Sequence, residues 1–222
     1  MLGVKKRREL ARKIASHAKS KYGELKRRKI RPALDQLVLS LIWQHASTRR
    51  AAGALRDLQA EFVDWNEARV STQAEVAGVM GGSDWAAAAG LRIREALRSL
   101  FDAHNTVDLD FLSEMTTTQA RTFLQGLPGV SRDIADEVLL MSMAVDVLPV
   151  SEAAARMCHR LGLIANDRVT LSNQKGLADL WEPDLYPALM FYFADEANGT
   201  CRHDKPRCVK CALKALCVKE EV

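Results

Sequence analysis

The stretch Thr122–Ser151, TFLQGLPGVSRDIADEVLLMSMAVDVLPVS, sets a tight apolar turn between two helical patterns. Ahead of the turn, Met115–Gln125 reads as a helix, with Thr116, Thr117 and Thr118 offering capping hydroxyls. Behind it, Asp133–Met143 puts Ile134, Val138 and Met141 at i, i+4 and i+7, with Ala135, Leu139 and Leu140 beside them. Pro128 fixes φ and Gly129 permits positive φ, so the chain can reverse within four residues. Backbone N–H groups at such a turn, where a helix opens, form an anion site whose natural guest is a phosphate. The same turn also serves as an ordinary corner between two helices.

Working outward, the chain reads as helices throughout. Toward the N-terminus these are Lys5–Tyr22, the strongly apolar Leu34–Trp43, Thr48–Phe62, Trp65–Ala77 and Trp85–Ala103, the last with a break at Gly90. Asp108–Met115 reads as a connector with one helical turn. Beyond the stretch, Ser151 caps Glu152–Leu161, and Ser172–Leu180 and Leu185–Glu196 follow. No segment sustains strand alternation, so the fold class is all-α.

With 222 residues, 48% hydrophobic and 27% charged, the composition is that of a soluble globular protein of one large or two small domains. No apolar run approaches the ~20 residues of a membrane span, and the N-terminus lacks the apolar core of a signal peptide. The expected setting is cytoplasmic. Of the chain's 32 Lys and Arg and 28 Asp and Glu, residues 1–31 hold 13 and 2, so the remainder carries 19 and 26. The body is acidic and the basic excess lies in an N-terminal arm. Such an arm reads as a contact to a polyanion, most simply a nucleic-acid backbone, or as a helix solubilised by its charges.

Four of the five cysteines fall in the last 22 residues: Cys201, Cys208, Cys211 and Cys217, spaced C-x6-C-x2-C-x5-C. Thiolates are soft ligands for iron–sulfur clusters or zinc. Structural zinc sites show two short pairs, and here only Cys208 and Cys211 are so paired. A disulfide framework is the weaker alternative. Cys158, beside Met157 and Leu161, reads as a small core residue.

The turn and this spacing together resemble the endonuclease III family of helix-hairpin-helix DNA glycosylases, over about Pro32 to Cys217. The family hairpin is Leu-Pro-Gly-Val-Gly, and here it is Leu127–Ser131. The resemblance implies two lobes, residues 33–147 and residues 1–32 with 148–222, and a [4Fe-4S] cluster on the four cysteines. It implies a monomer that binds damaged double-stranded DNA. Hairpin residues Leu127, Gly129, Val130, Ser131 and Arg132 would grip phosphate, as would Lys205, Arg207 and Lys210 of the cysteine loop. Ser131 replaces the second family glycine and adds a side chain where the backbone should approach closely. Gln44 matches the glutamine that fills the gap left by a flipped base, and Leu91, after Gly90, matches the wedging leucine. Outside the family context these two are a helix-end polar residue and a core leucine. His45 beside Gln44 and Glu95 near Leu91 depart from the pattern.

The catalytic positions also depart. Bifunctional members carry a lysine that attacks the sugar C1′ and forms a Schiff base; here that position is Asp133, and a carboxylate cannot form an imine. The family aspartate of a Val-Asp-Thr-His segment aligns with Ser151, with Glu152 beside it and Asp146 as the partner under a shifted alignment. The resemblance therefore implies a weak or narrow monofunctional DNA N-glycosylase with lyase activity unlikely, or a non-catalytic protein that binds damaged DNA. Asp133 also has a plain structural reading, as an acid in the first turn of a helix.

Overall fold

The computed structural model describes residues 2–23 and 31–218. Most of the basic connector Gly23–Pro32 lies outside them. Among the described residues all regular structure is helical. The chain forms two compact units, Arg28–Val145, and Met1–Arg27 with Asp146–Val222.

The first unit is built on α2 (Ala33–Trp43), which is buried nearly all round through Leu34, Leu37, Val38, Leu39, Leu41 and Ile42. A helix apolar on every side belongs in a core. Helices α3 (Thr48–Glu61), α6 (Asp84–His104) and α8 (Arg132–Met143) pack against it. Each fully buried leucine or isoleucine along α2 contributes about 1.5–3 kcal/mol. The expected helix Trp65–Ala77 is two helices, α4 (Trp65–Val70) and α5 (Gln73–Val79). The break has a local cause: Thr72 and Glu75 form a capping box that restarts the helix. Conversely, α6 runs unbroken through Gly90. A Cβ there would stand 3.4 Å from the Ala77 amide nitrogen, so this glycine permits the close approach of α5. A 3-10 turn, Asp110–Glu114, leads to α7 (Thr117–Gly126), which opens on a second capping box, Thr116 with Gln119.

The second unit pairs α1 (Val4–Tyr22) and α9 (Glu152–Arg160) with α11 (Tyr186–Gly199), alongside α10 (Leu171–Ala178). The buried face of α1 is Leu10, Ala11, Ile14 and Ala18, and the Trp181 indole N–H donates to the Ala11 carbonyl at 2.9 Å. After α9 the chain turns at Gly162, φ +76°, whose carbonyl accepts from the Leu2 N–H at 2.8 Å. A Cβ on Gly162 would meet Leu2 Cγ at 2.9 Å and Val218 Cγ2 at 3.0 Å. The cysteine loop follows α11 and contains two 3-10 turns, Cys208–Lys210 and Lys214–Leu216.

Candidate functional site

The hairpin is held from beneath. Leu127 and Val130 are buried, and the Val130 N–H donates to the Leu127 carbonyl at 3.1 Å. Their side chains anchor the turn, so only their main chain could face a ligand. Gly129 is exposed with φ +77°, and a Cβ there would lie 2.9 Å from Arg92 Cδ. Both conformation and space therefore call for glycine. Ser131 caps α8 in extended conformation, but its hydroxyl makes no cap bond to the helix backbone; it donates to the Asp133 carboxylate. Arg132 is half-buried in the first turn.

Three carboxyls follow on α8. Asp133 is half-buried; burial raises its pKa, while bonds from the Ser131 hydroxyl and the amides of Asp133 and Ile134 pull it back. Asp136 is fully buried and neutralised: Arg121 Nε of α7 stands 2.6 Å from it and Arg132 Nε 3.8 Å. Glu137 is buried, and that burial pushes its pKa up to about 8. The Ser40 hydroxyl of α2 donates to Glu137, and Ser40 in turn accepts from Gln36 Nε2 at 3.0 Å. Gln36 Oε1 accepts from Arg31 at 2.8 Å. The second carboxyl oxygen of Glu137, Oε2, has no partner.

Sequence reading missed Glu137 and Arg92. A glutamate three residues past Ile134 and three before Leu140, beside Val138, was the available signal for the first. Arg92 had none, because its role is positional. It lies against Gly129, and its charge lowers the pKa of His45, secondary to burial of that imidazole. Within this unit the structure thus brings together the hairpin, the end of α2 and the middle of α6. Gln44 is exposed at the C-cap of α2, and Leu91 is 37% exposed on α6. Glu95 is paired with Arg92 at 3.1 Å.

In the other unit, Ser151 is the N-cap of α9, its Oγ accepting from the Ala154 N–H at 3.2 Å. Glu152 is exposed in the first turn, and Asp146 is also exposed. Cys201, Cys208, Cys211 and Cys217 all line one pocket, walled by Met157, Leu161 and Pro206. None is in a disulfide. Two arginines of α9 tie the loop down. Arg160 donates to the carbonyls of Arg202 at 2.6 Å and His203 at 3.0 Å, and lies 3.8 Å from Cys201 Sγ. Arg156 donates to the carbonyls of Ala197 at 2.9 Å and Cys201 at 3.3 Å. Among the described residues no three Cys, His, Asp or Glu side chains converge on a single metal-ion position. Lys205, Arg207 and Lys210 are exposed on the loop. Cys158 is fully buried, which pushes its thiol far above the usual range.

No family model matches the chain. It is similar to a trapped endonuclease III–DNA covalent intermediate (TM-score 0.70, 16% identity, 99% of this chain and 98% of that one). It is also similar to a thermostable thymine-DNA glycosylase (TM-score 0.70, 14% identity, 97% of each chain). The fold is that of the helix-hairpin-helix DNA glycosylases. Among curated sequences, Protein ROS1A of Oryza sativa subsp. japonica is 21% identical over 200 residues, 82% of this chain and 10% of that protein. Endonuclease III of Treponema pallidum is 26% identical over 99 residues, 45% of this chain and 46% of that one. The chain spans about a tenth of the first of these relatives and under half of the second. Endonuclease III thus recurs among both the sequence relatives and the structural neighbours to which the chain is similar.

Proposed function

We propose that the chain binds damaged double-stranded DNA and acts as a weak or narrow monofunctional DNA N-glycosylase, releasing a base and leaving the strand uncut. The observation that carries this is Asp133, a half-buried carboxyl two residues past the hairpin turn, where a strand-cleaving relative would carry lysine. Breaking the N-glycosidic bond develops positive charge on the sugar, and water then adds at C1′. A carboxylate stabilises that charge and accepts the proton of the attacking water, while the departing base takes up a proton from solvent. Burial makes Asp133 a stronger base than an ordinary aspartate, which suits that role. It cannot form an imine, so β-elimination is not expected.

The other groups take supporting roles. Main-chain N–H groups of Gly129, Ser131 and Arg132 face phosphate, while the Val130 N–H is spent inside the turn on the Leu127 carbonyl; such contacts position the protein without reading sequence. Gln44 fills the gap left by the flipped nucleotide, and Leu91 wedges the opposite strand. The four cysteines would hold a [4Fe-4S] cluster. Their donor set is soft, its walls are largely apolar, and arginines lie nearby. Only Cys208 and Cys211 form the close pair that structural zinc sites show twice, which favours the cluster over zinc. When bound, the cluster cross-links the loop, so that Lys205, Arg207 and Lys210 meet phosphate from a fixed frame.

A second reading has its own support. Ser151 is occupied as a helix cap, and Asp133 already accepts three hydrogen bonds at its helix end. Those engagements favour a protein that binds damaged DNA without acting on it. Base release from duplexes carrying oxidised pyrimidines, uracil, mismatches or abasic sites separates the two. Breaks that appear only after alkali, and vanish in Asp133→Ala, are the expected result. Tight binding with no release from any duplex would favour the binder, and a borohydride-trapped covalent adduct would overturn the absence of lyase chemistry.

A further inference from the structure

Glu137 has the setting of a group kept for its proton. It is 8% exposed, in the interface of α8 with α2, and Oε2 has no hydrogen-bond partner. The hydrogen bonds that reach it all run one way. Arg31 donates to Gln36, Gln36 donates to Ser40, and Ser40 donates to Glu137. Its carbonyl-type oxygen is thereby satisfied, leaving the Oε2 hydroxyl of the neutral acid as an unused donor.

The charges around it are few. On α8 itself stand Asp133, Asp136 and Arg132; α7 contributes Arg121. On α2 the charged side chain is Asp35, which accepts from Trp65 Nε1 at 2.7 Å and Gln59 Nε2 at 3.0 Å. Arg121 and Arg132 both go to Asp136. Among the described residues no salt bridge reaches Glu137, and a buried carboxyl without a cation holds its proton. Asp133 lies at i−4, one turn toward the hairpin, close enough for its charge to act on Glu137.

We propose that Glu137 is a positioning residue for the hairpin site, a carboxyl that keeps its proton behind Asp133 and so limits the phosphate-facing end of α8 to one unpaired negative charge. The proposal rests on the reading of Asp133 and the hairpin given above. Losing the Glu137 proton places a second anion one turn below the first. The two carboxyls then titrate as a coupled pair, and phosphate at the hairpin meets greater repulsion.

The test uses the full chain labelled with 13C at aspartate and glutamate carboxyls. Wild-type protein should show Glu137 titrating near pH 8 and the Asp133 signal taking a second step over the same interval. Glu137→Gln, which matches the neutral acid in shape, should abolish that second step; a merely structural glutamate would leave Asp133 unmoved. In parallel, affinity for a duplex with an abasic-site analogue should fall roughly fivefold from pH 7 to 9 in wild type and hold nearly level in Glu137→Gln, the size of one added surface charge. Glu137 titrating in the ordinary carboxylate range, or an Asp133 curve identical in the two proteins, overturns the proposal. If Glu137→Gln does not fold, the wild-type titration decides alone. A wild type that binds no duplex but keeps the second Asp133 step supports the coupling and sinks the DNA reading instead.

Discussion

Helix α8 and the cysteine loop both concentrate ionisable side chains, but they hold them by opposite means. On α8, Asp136 and Glu137 are enclosed by packing and answered one by one, through Arg121, Arg132 and Ser40. On the loop, four thiols line one pocket, tied mainly by short turns and by Arg156 and Arg160. The first arrangement is answered from within the polypeptide, save for Glu137 Oε2, which has no partner. The second has the form of a ligand set, and a bound group would supply the missing cross-link. A chemical group held by neighbours is sensitive to the loss of any one of them; a group held by a shared centre depends chiefly on that centre.

The largest expected effect tests the loop. Cys208→Ser should remove absorbance near ~400 nm from purified protein and loosen the loop to proteolysis between Cys201 and Cys217. A colourless wild type would break the comparison at once. Next comes Arg121→Leu, which takes the cation at 2.6 Å away from the buried Asp136 carboxylate and leaves Arg132 at 3.8 Å. Denaturant unfolding should register a loss of about 3–5 kcal/mol, with Arg121→Leu/Asp136→Leu recovering much of it.

A third effect is read as pH dependence. The folded-state pKa of Glu137 is raised from 4.5 to about 8, so the folded protein binds more protons than the unfolded chain in between. The contribution of Glu137 to stability is therefore full below the lower value. It declines as pH rises, at about 1 kcal/mol per pH interval of one, and levels off above the upper value. Glu137→Gln should flatten that decline in unfolding curves taken from pH 5 to 9. The smallest effect belongs to Gly129→Ala, which imposes positive φ on alanine and pushes its Cβ onto the Arg92 side chain. Because Arg92 is a flexible, exposed neighbour, a loss of about 1 kcal/mol is expected, together with weaker DNA binding.

Much of the fold was legible because the signals were local. Periodicity marked α1, α2, α8 and α9 to within a residue or two, Pro128-Gly129 marked the hairpin, and cysteine spacing marked the loop. The breaks were less legible, since Thr72 with Glu75 outweighed a continuous apolar pattern and Gly90 served packing instead of termination. At the candidate site, the hairpin was visible as a match to a family motif, and Ser131 and Asp133 as departures from it. Glu137 and Arg92 were not, because their meaning comes from what surrounds them. Burial against α2 turns an ordinary helix glutamate into a proton-holding acid, and the close approach of α6 sets a surface arginine against the hairpin glycine.

Gly162 has a consequence of another kind. Leu2 and Val218, 216 positions apart, both lie against this one residue, and Leu2 is also hydrogen-bonded to it. The path from Leu2 to Val218 thus nearly returns on itself, with both residues brought to a common clasp. Such a path can be reopened elsewhere: a permuted gene that joins Leu2 to Val218 through a short flexible linker, and begins instead in the exposed segment around Asp167, should still yield the same helices.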